Sequence, residues 1–504
     1  MRKKNIRRSS AVFAATMLLA AGCSRSDVPS PGATESVAEG NTVTSVDAEP
    51  KTDTESETQK NDETRKETKD TDLRPEPVTE TEPISETDPM KETEEPKYEG
   101  PAKELTAEVL ERKADGIKKA EDLDEKAVDG MKRFSVDLFK QAYKAEKSEK
   151  NILISPESVM FAFGMSANGA MGDTLSEMLR TIAFVDDINI LNNNLYYYAH
   201  PKKVAGYPVQ LKVADSVWID NSDPEVYANE AFLDIVKNIY DAQAFSGVLT
   251  QCVDQVNAWV DEHTDGMIKK ITDDIEGDVK CMLLNAVCFD AKWADQYLDH
   301  QVDKEGIFTS LGGTKQKADM LYSIEDIYLS DDNTTGFIKC YEGYTYGFMA
   351  MLPSEDISLD EYVDSLTGEK LTALFDNRKS GSGIQVHAKI PEFEYDYSFG
   401  LNDPLKKLGI IHAFDSNVSE FTGIMKRGDM DLPLYISEAL QITHIELNQA
   451  GTRAAAVTAI TMACGSVMPK EIEEYTVYLD RPFVYAIVDM ETGMPVFMGT
   501  VIKV

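Results

Sequence analysis

The chain carries histidines at positions 200, 263, 300, 387, 412 and 444, together with six cysteines, and these are its residues best suited to nucleophilic, acid–base or metal chemistry. Their spacing supports none of it. There is no HExxH pair, no GxSxG nucleophile elbow and no GxxxxGK[ST] phosphate loop. The histidines are scattered, and one within an apolar strand, such as His387, reads as structural. Cys464 with a distant histidine would be a thiol nucleophile pair, but no local context joins them. Cys252, Cys281, Cys288, Cys340 and Cys464 form no CxxC and no metal-ligand spacing. Neither a disulfide framework nor a metal or other cofactor is expected, and these cysteines, apart from Cys464, read as small buried apolar residues. With a net charge of −37, paired carboxylates are too common to discriminate anything, and the same charge argues against a nucleic-acid partner. An enzymatic function is unsupported.

A different kind of stretch stands out at residues 450–471, AGTRAAAVTAITMACGSVMPKE. Its side chains are too small to anchor a core, and they lead directly into a proline and charges. Taken alone, it is an alanine-rich linker or helix, or else a segment shaped to enter a tight space.

The chain's ends differ from its body. MRKKNIRRSSAVFAATMLLAAGC joins a basic start to an apolar run from Ala11 to Ala21 that is too short to span a bilayer as a helix, so residues 1–22 read as a secretory signal. The ending resembles a bacterial lipobox, with Ala20 where leucine is usual. Cys23 would then be the first mature residue and carry the lipid, each buried CH₂ contributing about 0.8 kcal/mol to membrane binding. Residues 23–102, rich in Thr, Glu and Pro, have too little apolar surface to offset the entropy of ordering and read as a disordered tether. Roughly 80 flexible residues reach about 50 Å. The expected location is extracellular, lipid-anchored to the bacterial cell membrane.

The body, residues 103–504, reads as one large α+β domain. A polar lead-in from Lys103 to Lys119 is expected to be helical. The next helix puts Met131, Phe134, Leu138 and Ala142 on one stripe. A short strand at Ile152 to Ile154 precedes a Ser155-Pro156 helix start, and a further helix after Gly172 is expected to be capped by Asp173 or Thr174. VNAWVDEHTDGMI is a helix burying Val256, Trp259 and Val260, and CMLLNAVCFDAKW is a strand that needs cover on both faces. YGFMAMLP, GIQVHAKIPEFEYD, LYISEALQITHIELN and DRPFVYAIVDMETGMPVFMGTVI add strands, the last closing a hairpin at Glu491, Thr492 and Gly493. LNDPLKKLGIIHAF carries Leu401, Leu405 and Leu408 at helical spacing.

NILISPESVMFAFGMSANGAMGDTLSEM, NAWVDEHTDGMI, LLNAVCFDAKW, KIPEFEYDYSFGLNDPLKKLGI, AGTRAAAVT and YLDRPFVYAI stand in the order and at about the spacing of the serpin family, which the chain resembles from about residue 120 onward. The resemblance implies three β-sheets with eight or nine helices and an exposed reactive-centre loop at about 449–475. A target serine or cysteine protease attacks that loop, which inserts into the central sheet before deacylation and traps the acyl-enzyme. A segment that must fit between packed strands carries little bulk, since each forced methylene costs about 1 to 3 kcal/mol. Gly451, Thr452, Ala454, Ala455, Ala456 and Thr458 would be this hinge. Gln449 stands in place of the family's usual glutamate, and the scissile bond falls between Gly465 and Ser466, implying an elastase-like or subtilisin-like target. Ser155, Ser158, Asn285 and Gln441 match the polar cluster that gates sheet opening, Gln441 replacing a common histidine. Trp293 matches the tryptophan where the loop first enters. The implied protein is a monomeric, surface-tethered suicide inhibitor. The alternative is a non-inhibitory relative that binds a ligand or partner or serves as substrate.

Overall fold

The structure is a computed structural model that describes the backbone of Ala11–Cys23 and residues 100–112, 116–146, 149–200, 204, 206–207, 210–449 and 472–504. Residues 24–99, most of the expected tether, and the stretch from 450 to 471 lie outside the described residues. Nine α-helices are present among the described residues: α1 (Glu125–Glu146), α2 (Pro156–Ala167), α3 (Gly172–Ile182), α4 (Ile188–Ala199), α5 (Glu230–Tyr240), α6 (Val253–His263), α7 (Leu359–Ser365), α8 (Gly368–Asp376) and α9 (Asn402–Leu408).

The strands run β1 (Ala11–Cys23), β2 (Lys103–Glu104), β3 (Ile152–Ile154), β4 (Leu211–Asp220), β5 (Val226–Ala228), β6 (Gln243–Gly247), β7 (Val279–Ala291), β8 (Val302–Thr309), β9 (Lys315–Glu325), β10 (Ile327–Asp331) and β11 (Thr334–Cys340). They continue with β12 (Tyr346–Pro353), β13 (Lys379–Ser380), β14 (Ile384–Pro391), β15 (Phe393–Gly400), β16 (Met425–Arg427), β17 (Met430–Asp431), β18 (Leu434–Leu447), β19 (Glu473–Tyr478), β20 (Phe483–Asp489) and β21 (Pro495–Val501).

Three larger sheets and one small one result. The central sheet has the order β15-β18-β1-β7-β4-β6-β2, and a second has β13-β10-β11-β12-β20-β21-β3. A third is β19-β14-β9-β8, and β17-β16-β5 is the small one. The mixed α+β architecture agrees with the sequence reading.

Helix α2 explains how the first two sheets share one core. All twelve of its residues are buried, as an apolar-all-round helix requires. Met131, Phe134, Leu138 and Ala142 of α1 are buried, as their spacing implied. A second, smaller core gathers Trp218, Phe245, Val256, Trp259 and Val260, where α6 packs against β4 and β6.

Three local expectations need correction. The lead-in is not a long helix: Lys103 and Glu104 pair with Ser246 and Phe245 at the edge of the central sheet, and a single 3-10 turn follows at Thr106–Glu108. The Gln255 side chain holds both the N–H and the C=O of Ala102, so tertiary pairing overrides the polar helical pattern. Helix α3 is not capped by Asp173 or Thr174; its cap position is Met171, and the Glu420 carboxylate accepts from the Asp173 N–H. GIQVHAKIPEFEYD is two strands in different sheets, breaking at Glu392.

Candidate functional site

The central sheet contains a seam. Strands β7 and β18 do not pair with each other, because the thirteen-residue β1 lies between them, antiparallel to both. Its register places Met17 opposite Gln441 on one side and Asn285 on the other, so those two residues stand level across the seam. Since a strand spaces its neighbours by about 4.8 Å on each side, the flanking strands are held apart by two such steps.

The start of α2 bridges the seam at that level. Ser155 takes extended backbone at the N-cap and Pro156 follows at the first helical position, where a missing N–H costs nothing. The Ser155 N–H donates to Gln441 Oε1 at 3.0 Å, and Gln441 Nε2 donates back to the Ser155 carbonyl at 2.9 Å. One turn on, Ser158 Oγ donates to Asn285 Oδ1, while its N–H donates to Ser155 Oγ at 3.2 Å. Ser155 therefore holds β18 and Ser158 holds β7. All four residues are buried, and the structure brings together the four side chains to which the sequence resemblance assigned a gating role. Gln441 replaces a histidine with both hydrogen-bonding roles used.

Asp215 of β4 was not foreseen. Its Oδ1 accepts from Asn285 Nδ2 at 2.9 Å, so it fixes the orientation of the Asn285 amide. Burial pushes its carboxyl up to about 7, against the Asn285 bond that lowers it and with Asp241 adding to the rise. Its other oxygen has no partner among the described residues. Glu157, between the two serines, is likewise raised well above the usual range, first by burial and then by Asp489. It lines a cavity of about 10 Å³ with Tyr197, Tyr198 and Asp489.

The end of the seam nearest residue 449 is built differently. Trp293 is fully buried, stacks on Tyr341 with ring centroids 4.5 Å apart, and donates Nε1–H to the Asn448 carbonyl at 3.2 Å. Lys339 lies 5.5 Å from the Trp293 ring centroid and 4.5 Å from that of Tyr297, and pairs with Glu325 at 2.8 Å. Burial lowers the Lys339 pKa, but Tyr297 and Glu325 outweigh it and the net shift is upward. Gln449 donates its N–H to Glu392 at 2.7 Å and its amide to the Tyr297 carbonyl and Asp299. The chain is thus gripped at Asn448 and Gln449, directly before the small-residue stretch.

The hinge residues Gly451, Thr452, Ala454, Ala455, Ala456 and Thr458 and the Gly465–Ser466 bond lie outside the described residues, as does Cys464. The Cys23 backbone pairs with Leu434. Cys252, Cys281, Cys288 and Cys340 are free thiols, and burial pushes Cys281 up to about 12.

Residues 129–504 match the sequence profile of the family described as Serpin (serine protease inhibitor). The crystal structure of tengpin, a thermophilic serpin, in its native state is similar with a TM-score of 0.68 at 33% identity, covering 80% of this chain and 100% of that one. A serpin-like protein of Thermococcus kodakarensis is 28% identical over 377 residues, 74% of this chain and 84% of the relative. A serine protease inhibitor of Cyanea capillata is 27% identical over 372 residues, 70% of this chain and 92% of the relative. With the fold and the family profile in agreement over three quarters of its length, the chain belongs to the serpin family.

Proposed function

We propose that this serpin is a surface-tethered suicide inhibitor of serine proteases, which traps the acyl-enzyme by inserting its cleaved loop into the central sheet. One observation supports it above others: the sheet accommodates a complete extra strand between β7 and β18, antiparallel to both, beside the point where β18 leads into the small-residue stretch. That stretch has the slight side chains that insertion demands, and the Gly465–Ser466 bond fits an elastase-like or subtilisin-like enzyme. Lipidation at Cys23 and the tether would hold the inhibitor at the outside of the cell membrane.

The test is incubation with elastase-, subtilisin- and trypsin-like enzymes, followed by denaturing gels and mass spectrometry of the released peptide. The expected result is a denaturation-resistant adduct and a peptide beginning at Ser466. Because β1 fills the seam in the full chain, the adduct is expected from a chain beginning at Cys23 and not from one retaining residues 1–22. Thr452→Arg should lower adduct yield at least ten-fold while leaving cleavage intact. A nicked chain that melts no higher than the intact one, with no adduct from any enzyme, would overturn the reading in favour of a non-inhibitory binding protein or substrate.

A further inference from the structure

Strands β15 and β18 run antiparallel, with Glu394 directly opposite Glu446 and Asp396 directly opposite His444. Because alternate residues of a strand share a face, these four side chains form a rectangle on one face of the sheet. Two glutamates facing each other across a ladder repel, and like charges so placed destabilise a sheet. No lysine or arginine pairs with Glu394 among the described residues. The ligand atoms of Glu394, His444 and Glu446 all lie within 4.8 Å of one another. His444 is only partly buried and Glu394 is exposed, so the group is open to solution.

The histidine supplies an independent pointer. Its Nδ1 lies 2.7 Å from Asp396 Oδ1, outside the triad, which leaves Nε2 as the open ring nitrogen. A carboxylate hydrogen-bonded to one nitrogen of an imidazole is the usual supporting arrangement for a histidine that ligates a metal through the other.

We propose that Glu394, His444 and Glu446 form a site for a divalent transition cation of the Zn²⁺ class, oriented by Asp396 and tying β15 to β18. One imidazole and two carboxylates leave a fourth tetrahedral position for water. The mixed nitrogen and oxygen donors favour Zn²⁺ over Ca²⁺ or Mg²⁺, which take oxygen ligands. No sequence motif marks the site, because its ligands come from two strands and only the sheet register joins them. Glu446 also accepts from the Asn448 side chain at 2.9 Å, so the cation would sit two residues away from the backbone carbonyl that Trp293 holds. The site rests on that register and not on the inhibitory reading.

Equilibrium dialysis of the full chain against Zn²⁺, with metal analysis, tests the proposal, alongside thermal melts with and without the metal. The expected result is one Zn²⁺ per chain and a raised melting temperature, with Ca²⁺ giving neither. Co²⁺ in place of Zn²⁺ should show the visible absorption of a four-coordinate site. Glu394→Gln, at an exposed position that folding tolerates, and His444→Gln should each weaken Zn²⁺ binding at least ten-fold, whereas His300→Gln should not change it. Equal binding by the wild type and Glu394→Gln, or no binding by the wild type, would overturn the site.

Discussion

At the middle of the seam, the contacts to the flanking strands come from serine and amide side chains: Ser155 with Gln441, and Ser158 with Asn285. At the end nearest residue 449 the work falls to an indole stacked on a phenol ring and to a buried ammonium paired with a carboxylate. Neutral hydrogen bonds contribute about 1 kcal/mol each net, so the middle is a clasp of several weak and replaceable bonds. A buried ion pair is intolerant instead, since losing one partner strands the other. The comparison teaches that the hold of α2 on β7 and β18 can be loosened at the middle one bond at a time, while the far end stays anchored.

The contrast can be broken most forcefully at Lys339. Its side chain is 1% exposed and that of Glu325 is 11%. Lys339→Met should cost about 3 to 5 kcal/mol in guanidinium unfolding, and adding Glu325→Leu should recover most of it. Equal losses in the single and double variants would show that the ion pair is not what anchors that end.

At the middle, Asp215 makes the clasp pH-dependent. Its native carboxyl titrates at about 7 rather than at the ordinary 3.8, so between those values the unfolded chain releases a proton that the folded chain retains. The contribution of this group to stability should therefore be fully present below about pH 4 and fall as pH rises toward 7, by up to about 1.4 kcal/mol per pH unit. Glu157 acts in the same direction. In Asp215→Asn the fall should be shallower by nearly that slope; an unchanged profile would remove Asp215 from the cluster's titration.

Ser158→Ala leaves Asn285 Oδ1 without its donor in a dry site and should cost about 1 to 3 kcal/mol. The smallest expected effect is that of Trp293→Phe, which keeps an aromatic ring over Tyr341 but loses the donor to the Asn448 carbonyl, for about 1 kcal/mol. If Trp293→Phe proved the costlier of the two, the indole as well as the ion pair would count toward the anchoring of that end.

What could be read in advance follows from the range of the signal. Ser155 and Ser158 sit beside Pro156 at a helix start, and Asn285 and Gln441 lie in recognisable strands, so local pattern and family resemblance reached them. Asp215, Lys339 and Glu325 were missed because their roles come from strand neighbours distant in sequence. A weak signal existed: Asp215 in KVADSVWI and Lys339 in GFIKC are lone charges within apolar strands, and such charges need partners when buried. The misjudged lead-in has the same origin, since the edge of β6 and the Gln255 amide decide the conformation of Ala102 and its neighbours. The position of β1 in the seam was equally invisible, because a short apolar run reads the same wherever it lodges.

The placement of the last two strands has its own consequence. β20 and β21 are buried along their whole lengths, with β12 on one side and β3 on the other, and β19 pairs in parallel with β14. Severing the backbone between Gly465 and Ser466 would leave the tail piece with no covalent link to the rest, yet wedged among strands contributed by the larger piece. The clipped protein should elute from a sizing column as a single particle and fall into two fragments only in denaturant, so that its intactness cannot be judged from its size.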